Sequence, residues 1–288
     1  RGACGPAPCR SVLSDTESTA PERQVRAAAA PSRCMRELLE AGAAWDLPRA
    51  EADARRRGYA TSGAGRFEAG REQRRGVPEA ILAAGKSPSE VAALTRTALE
   101  TTGHALVTRV SAADVAAATD AVDGSTTLDH DERGRTLVAR RPDYEPPALS
   151  ADVAIVTGGT ADAAVAAEAE TALGAMGVDA TRIDDVGVAH LGRVLDQVER
   201  LRAADVLVVA AGREGALPTV VAGLVDTPVI GVPVSSGYGH GGDGSAALSG
   251  MLQSCTVLSV VNVDAGFVAG AQAGLIARAV SDAREQSG

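Results

Sequence analysis

Residues 205–267 read DVLVVAAGREGALPTVVAGLVDTPVIGVPVSSGYGHGGDGSAALSGMLQSCTVLSVVNVDAGF. The β-branched runs at 206–210, 228–232 and 256–261 are each followed by a small-residue loop and an Ala- or Leu-rich segment, the rhythm of strand, loop and helix in a parallel sheet. Helices are expected at 216–225, 244–253 and 266–280. Upstream, DVAIVTGGTAD predicts a strand, a tight turn and a helix running from Asp162 through Met176. A second strand and an acidic loop fall within 178–188. A helix follows from His190 to Leu201, with Val194, Leu195, Val198 and Leu201 at helical spacing. This succession of βα units predicts a doubly wound parallel α/β sheet with its ligand loops at the carboxyl ends of the strands. On that expectation every chemistry-bearing motif shares one rim.

The 288 residues carry a formal net charge of −9, and apolar residues make up 45% against only 2% aromatics. The core must therefore be built from Ala, Val, Leu and Ile. An acidic chain is not one that grips nucleic acid through its phosphates. No run reaches the roughly 18 apolar residues that span a bilayer, and without a secretory signal pattern the expected location is cytoplasmic. Cys4, Cys9 and Cys34 have neither a disulfide-framework density nor zinc-ligand spacing, and Cys255 stands alone in the regular half.

Residues 1–60 read as a leader plus an accessory helix around Met35, Leu38, Leu39 and Trp45. Residues 61–148 read as a smaller N-terminal α/β domain. In it Ile81 and Leu82 suggest a strand, Ser87-Pro88-Ser89-Glu90 starts a helix through Leu99, Ala105–Val110 forms a strand, and TLVARRP another. Residues 111–135 carry no clear period. Arg71, Arg74 and Arg75 form either a solvated face or an anion site. Pro142, Pro146 and Pro147 mark a linker, so residues 149–288 form the second domain.

Four strand-end loops are rich in small polar residues: Thr157-Gly158-Gly159-Thr160, Gly212-Arg213-Glu214-Gly215, Ser235-Ser236-Gly237-Tyr238-Gly239 and Asn262-Val263-Asp264-Ala265-Gly266. Glycine lets a backbone approach a ligand closely, and amides at a helix start attract anions. Together they favour a nucleotide-like ligand over ordinary tight turns. The P-loop and GxGxxG patterns are missing, so neither a P-loop nucleotidase nor an ordinary dinucleotide dehydrogenase is expected, and no flavin or nicotinamide redox cofactor is called for. Glu214 is either an acid–base carboxylate or a solvated loop residue. Asp184 and Asp185 could hold a ribose or a metal, or sit in solvent. Cys255 is a nucleophile if it faces the rim and otherwise a small apolar residue.

The runs GREGALPTVVAGLVDTPVIGVPVSSGYG, LSGMLQSC and VVNVDAGFVAG, with VTGGTAD, RIDDVGVAHLGRVL and GVPEAILAAGKSPSEVAAL upstream, resemble the LarB family. These are carboxylase/hydrolases of nickel-pincer nucleotide biosynthesis, related to the phosphoribosylaminoimidazole carboxylases of purine synthesis. The resemblance covers roughly residues 66–280 and implies a flavodoxin-like catalytic domain. It also implies carboxylation by CO2 of nicotinic acid adenine dinucleotide, with hydrolysis of the phosphoanhydride to give pyridinium-3,5-biscarboxylic acid mononucleotide and AMP.

On this resemblance Cys255 adds to the pyridinium ring and Glu214 handles a proton. The substrate is expected on Thr157, Gly159, Thr160, Asp162, Asp185, Gly212, Gly215, Ser235, Gly237, Tyr238, Gly239, Asn262 and Asp264, with Arg71, Arg74 and Lys86 from the N-terminal domain. Mg2+ would sit between phosphate oxygens and Asp162 or Asp185, and the enzyme would be a homo-oligomer. Glu68, Val77, Ala84, His240 and Asp243 depart from the family pattern. The rival readings are a purine-pathway carboxylase or mutase, against which DVGVAHLGR stands where a Ser-Ala-His-Arg segment is expected, and a nucleotide-binding module without turnover.

Overall fold

A computed structural model describes residues 58–237 and 239–287. They belong to one compact unit that contains two sheets and a hairpin. The expected leader and the helix around Met35 and Trp45 lie outside the described residues.

The larger sheet is the doubly wound one. Its strands are β7 (Val153–Thr157), β8 (Thr181–Ile183), β9 (Val206–Ala211), β10 (Val229–Pro233) and β11 (Ser259–Val260), in the spatial order β11-β10-β9-β7-β8. All pairings are parallel. Relative to chain order this is the flavodoxin-like 2-1-3-4-5 arrangement, whose switch point lies between β7 and β9. Both faces are covered, which explains the uninterrupted apolar strands. Ile155, Val208, Ile230 and Val232 pack toward α4 (Ala163–Ala175) and α9 (Gly266–Glu285). On the other face, Ala154, Val156, Leu207 and Val209 pack toward α5 (Leu191–Leu195), α6 (Val198–Ala203), α7 (Ala216–Ala222) and α8 (Ser245–Leu252). Full burial of each of the Val, Leu and Ile side chains stabilises the fold by roughly 1.5–3 kcal/mol.

The smaller sheet, in the order β3-β4-β6-β5, comprises β3 (Ala80–Leu82), β4 (His104–Thr108), β5 (Thr127–Asp131) and β6 (Thr136–Arg140). A hairpin of β1 (Ala60–Ser62) and β2 (Gly65–Phe67) and the short helix α1 (Arg71–Arg75) precede it. Alternation along the strands serves two interfaces. Ala105, Val107, Leu137 and Ala139 face α2 (Pro88–Thr102) and α3 (Ala112–Ala121), whereas Leu106 and Val138 meet Ala175 and Phe267 of the larger domain. The Thr136 and Thr171 hydroxyls, 2.9 Å apart, hydrogen-bond across that seam.

Some sequence expectations are corrected. Residues 111–135 are ordered secondary structure: α3 starts with a capping box in which Ser111 accepts from the Asp114 amide and Asp114 accepts from the Ser111 amide. Asp rather than Glu or Gln closes the box, and the Ala-rich helix lacks a strong apolar stripe. The expected helix 190–201 is broken, because the Gln197 amide turns back to Val194 and the chain restarts as α6. Val194 and Leu201 are fully buried, while Leu195 is 52% exposed. The strand expected over 256–261 pairs only at Ser259 and Val260, since Val257 stands 97% exposed beyond the sheet edge.

Candidate functional site

The loops after β7, β8, β9, β10 and β11 all emerge at the carboxyl ends of the strands. This assembles Thr157, Gly159, Thr160, Asp162, Asp185, Gly212, Glu214, Gly215, Ser235, Gly237, Gly239, Asn262 and Asp264 along one rim. Tyr238 lies outside the described residues.

At the switch point the Gly158 amide donates to Ala210 O at 3.1 Å, tying the first rim loop to β9. Asp162 is buried beneath this junction. Its Oδ2 accepts from the Gly159 amide at 2.9 Å and its Oδ1 from the Ser236 hydroxyl at 3.4 Å. Burial pushes the Asp162 carboxyl above the usual carboxylate range, and the hydrogen bonds from Gly159 and Ser236 pull the other way. The carboxylate thus fastens the loops after β7 and β10 to each other. Beside it, the Thr157 hydroxyl donates to Asp184 at 2.9 Å and accepts from the Asp185 amide. Thr157, Thr160, Asp184 and Asp185 line a crevice of about 260 Å3, to which the N-terminal domain contributes Asp131 and Arg133.

Glu214 is exposed at the start of α7. Gly215 takes a left-handed φ of 68°, which turns the chain there, and a Cβ at Gly250 of α8 would collide with the Glu214 carbonyl oxygen. A glycine on each side therefore fixes where Glu214 leaves the sheet. The Asp264 carboxylate accepts from both the amide and the hydroxyl of Ser235, coupling the last two rim loops.

Cys255 departs from the expectation of a single rim. It lies between α8 and β11, in a helix-to-strand connection, and these sit at the amino ends of the strands. Its exposed thiol lines a cleft of about 600 Å3 with Asp226, Thr227, Val229, Gln272 and Ile276, and neither Glu214 nor Asp162 lines that cleft. Within one chain, the cleft of the thiol is separate from the crevice lined by Asp184 and Asp185.

The basic residues of the N-terminal domain are held internally. Arg71 pairs with Glu79 at 2.8 Å, Arg74 with Glu68, and the Lys86 ammonium donates to Leu82 O at 2.7 Å. Glu68, one of the departures, is thus an anchor for Arg74. The carboxylates considered for Mg2+ do not make a preformed centre: Asp162 is turned onto amides, and Asp185 pairs with Arg193 at 3.1 Å. Among the described residues no group of three or more His, Cys, Asp or Glu side chains converges as for a metal ion.

Three contributors escaped the sequence reading. Ser236 reads in the sequence only as one small residue of a glycine-rich loop. Arg109 and Glu168 left no signal, because neither belongs to a rim motif, yet Arg109 donates to Asp264 O at 2.8 Å and lies 3.8 Å from Glu168.

Residues 152–287 match the family described as AIR carboxylase, and residues 59–141 match the one described as LarB/PurE-like N-terminal domain. An uncharacterized protein of Methanocaldococcus jannaschii is 38% identical over 220 residues, 74% of this chain and 84% of that protein. The chain belongs to the PurE/LarB-like AIR carboxylase superfamily. Its reaction is of the carboxylase type at the level of that superfamily. Among solved structures, Treponema denticola PurE is 20% identical with a TM-score of 0.36, covering 47% of this chain and 92% of that one. A point variant of Treponema denticola PurE2 is 19% identical with a TM-score of 0.34, covering 47% and 96%. The join between the two matched families, at 142–151, coincides with the proline-rich segment between the two sheets. No helix among the described residues is long and apolar enough to cross a membrane.

Proposed function

We propose that this superfamily member carboxylates the pyridinium ring of nicotinic acid adenine dinucleotide with CO2 and hydrolyses its phosphoanhydride, releasing AMP and pyridinium-3,5-biscarboxylic acid mononucleotide. The observation that carries the substrate choice is the LarB/PurE-like N-terminal domain joined ahead of the carboxylase domain. An exposed free thiol at Cys255 adds support.

The chemistry follows from the ring. A pyridinium carbon is too electron-poor to attack CO2. Addition of the Cys255 thiolate at C4 forms a C–S bond and makes an enamine, whose C5 then bonds to CO2. Glu214 takes the C5 proton, the C–S bond breaks with its electron pair returning to sulfur, and aromaticity is restored. Water then cleaves the phosphoanhydride. The rim glycines and amides would hold the phosphates and riboses, with Asp162 fixing their loops.

Because Cys255 lines a cleft that Glu214 does not line, this reading has a second copy bring its thiol to the ring. Exposed Leu252 and Val257, at 66% and 97%, flank Cys255 and would be covered in such a homo-oligomer.

A second reading has its own observation. The AIR carboxylase match spans the entire doubly wound sheet and supports an aminoimidazole ribonucleotide carboxylase or mutase at least as directly. That chemistry needs no thiol. Incubating the protein with bicarbonate and each nucleotide in turn, followed by mass spectrometry, separates the two. AMP with a dicarboxylated mononucleotide supports the first reading, and carboxylation of aminoimidazole ribonucleotide alone overturns it.

A further inference from the structure

Five non-glycine residues among those described hold a left-handed backbone: Arg109 (φ 58°), Arg135 (φ 53°), Asp185 (φ 59°), Arg213 (φ 54°) and Asp264 (φ 55°). Such a conformation costs an L residue on the order of 1 kcal/mol or more and persists where its surroundings over-determine it. Asp185, Arg213 and Asp264 are on the rim, and Asp264 is linked to Arg109 and Arg135. Arg135, entering β6, donates through Nε to Val110 O at 3.2 Å and through Nη2 to Arg109 O at 3.1 Å, and its own carbonyl accepts from the Val110 amide at 2.9 Å. Arg109, leaving β4, donates through Nη2 to Asp264 O at 2.8 Å. The Asp264 carboxylate then holds the amide and hydroxyl of Ser235.

Glu168 of α4 meets the chain at the same point. Its Oε1 lies 3.8 Å from Arg109 Nε, and the Gly266 and Phe267 amides at the start of α9 favour its charged form. Ala265, the residue before that helix, supplies no side-chain cap. The loop hung on Ser235 needs such an anchor: Gly239, Gly241 and Gly244 all hold positive φ, and a stretch this rich in glycine has little conformational preference of its own. Its far end is fixed separately, where Asp243 accepts from the Ser245 amide at 3.1 Å.

We propose that Arg109 is a positioning residue through which the N-terminal domain sets the conformation of the ligand loop that begins at Ser235. The role of that loop as a ligand loop rests on the proposed function, but the coupling itself does not. Arg109 reaches the rim through its hydrogen bond to Asp264 O, so it acts on the site by fixing the Asp264 backbone, and with it the carboxylate that grips Ser235.

Amide hydrogen exchange on the unliganded protein tests this without any reaction. Loss of one hydrogen bond of ordinary strength, about 1 kcal/mol, corresponds to roughly five-fold. Arg109→Ala is expected to speed exchange about that much across the described residues of 235–244, with the β7 and β9 core unchanged. Arg109→Lys, which keeps a cationic donor, is expected to recover part of the protection. Arg135→Ala, one link further out, gives a smaller local effect and serves where Arg109→Ala does not fold. With the nucleotide that wild type carboxylates, Arg109→Ala is expected to raise KM several-fold while kcat stays within about two-fold, the pattern of a disturbed binding loop. Unchanged exchange over 235–244, or acceleration spread evenly through both sheets, overturns the proposal. Failure of wild type to carboxylate either nucleotide overturns the functional reading and leaves the exchange result to decide the coupling.

Discussion

The Asp162 carboxylate accepts the Gly159 amide through one oxygen and the Ser236 hydroxyl through the other, so one buried side chain joins two rim loops that lie 74 residues apart in the chain. Removing it leaves a half-buried amide without its acceptor, a loss of about 1 kcal/mol. Asp162→Ala should lower the urea midpoint accordingly, while Asp162→Asn, which keeps one acceptor oxygen, should lose less. Equal midpoints for the two variants would show that the oxygen is not what holds the loops.

Glu168 gives a pH signature. Burial raises its carboxyl above the usual range, while Arg109 and the Gly266 and Phe267 amides lower it. A raised folded-state value means that the folded protein holds the proton more tightly than the unfolded chain. Ionisation therefore costs stability: the cost is absent below the ordinary carboxylate value and grows as pH rises through it, until the folded value is passed. Glu168→Gln has no such dependence. Unfolding free energies measured between about pH 4 and 8 should move in favour of the variant as pH rises, and a constant difference would count against a raised carboxyl.

Cys255 is exposed, so Cys255→Ala should change stability by no more than about 0.5 kcal/mol. On the pyridinium reading it abolishes the dicarboxylated product. A variant that makes that product at the wild-type rate removes the thiol from the mechanism. Alkylation of Cys255 should give the same loss in kinetics.

Glu214→Gln keeps the shape of an exposed side chain and removes the base of the proposed carboxylation. The expected result is a kcat lowered by about 10²–10⁴ with an unchanged melting temperature. A shift confined to KM would make Glu214 a binding residue instead.

Gly250→Ala places a Cβ against the Glu214 carbonyl oxygen, with backbone on both sides to resist it. Overpacking of this kind costs typically about 1–3 kcal/mol. Thermal unfolding should show the loss, and activity should fall with it, because the loop that must shift carries Glu214.

How much of this was legible in the sequence differs from residue to residue. The rim loops could be read because parallel strands buried on both faces are continuous apolar runs, and Gly-rich turns punctuate them. The smaller sheet could be read only in part: α3 opens on Ser111 and Asp114, a box closed by the less usual acid. The position of Cys255 was implicit in chain order, since a connection from helix to strand returns to the amino ends, but the β-branched run at 256–261 suggested a longer strand than forms.

By itself the sequence determined the doubly wound sheet, the rim loops and the residues on them, because periodic burial and turn chemistry are local and leave a repeating mark. Only the tertiary structure decided that Asp162 binds loops together, that Glu214 does not line the cleft of Cys255, and that Arg109 reaches Asp264 across 155 positions. Hydrogen bonds between residues so distant follow from how two sheets pack, and packing imposes no period on the chain.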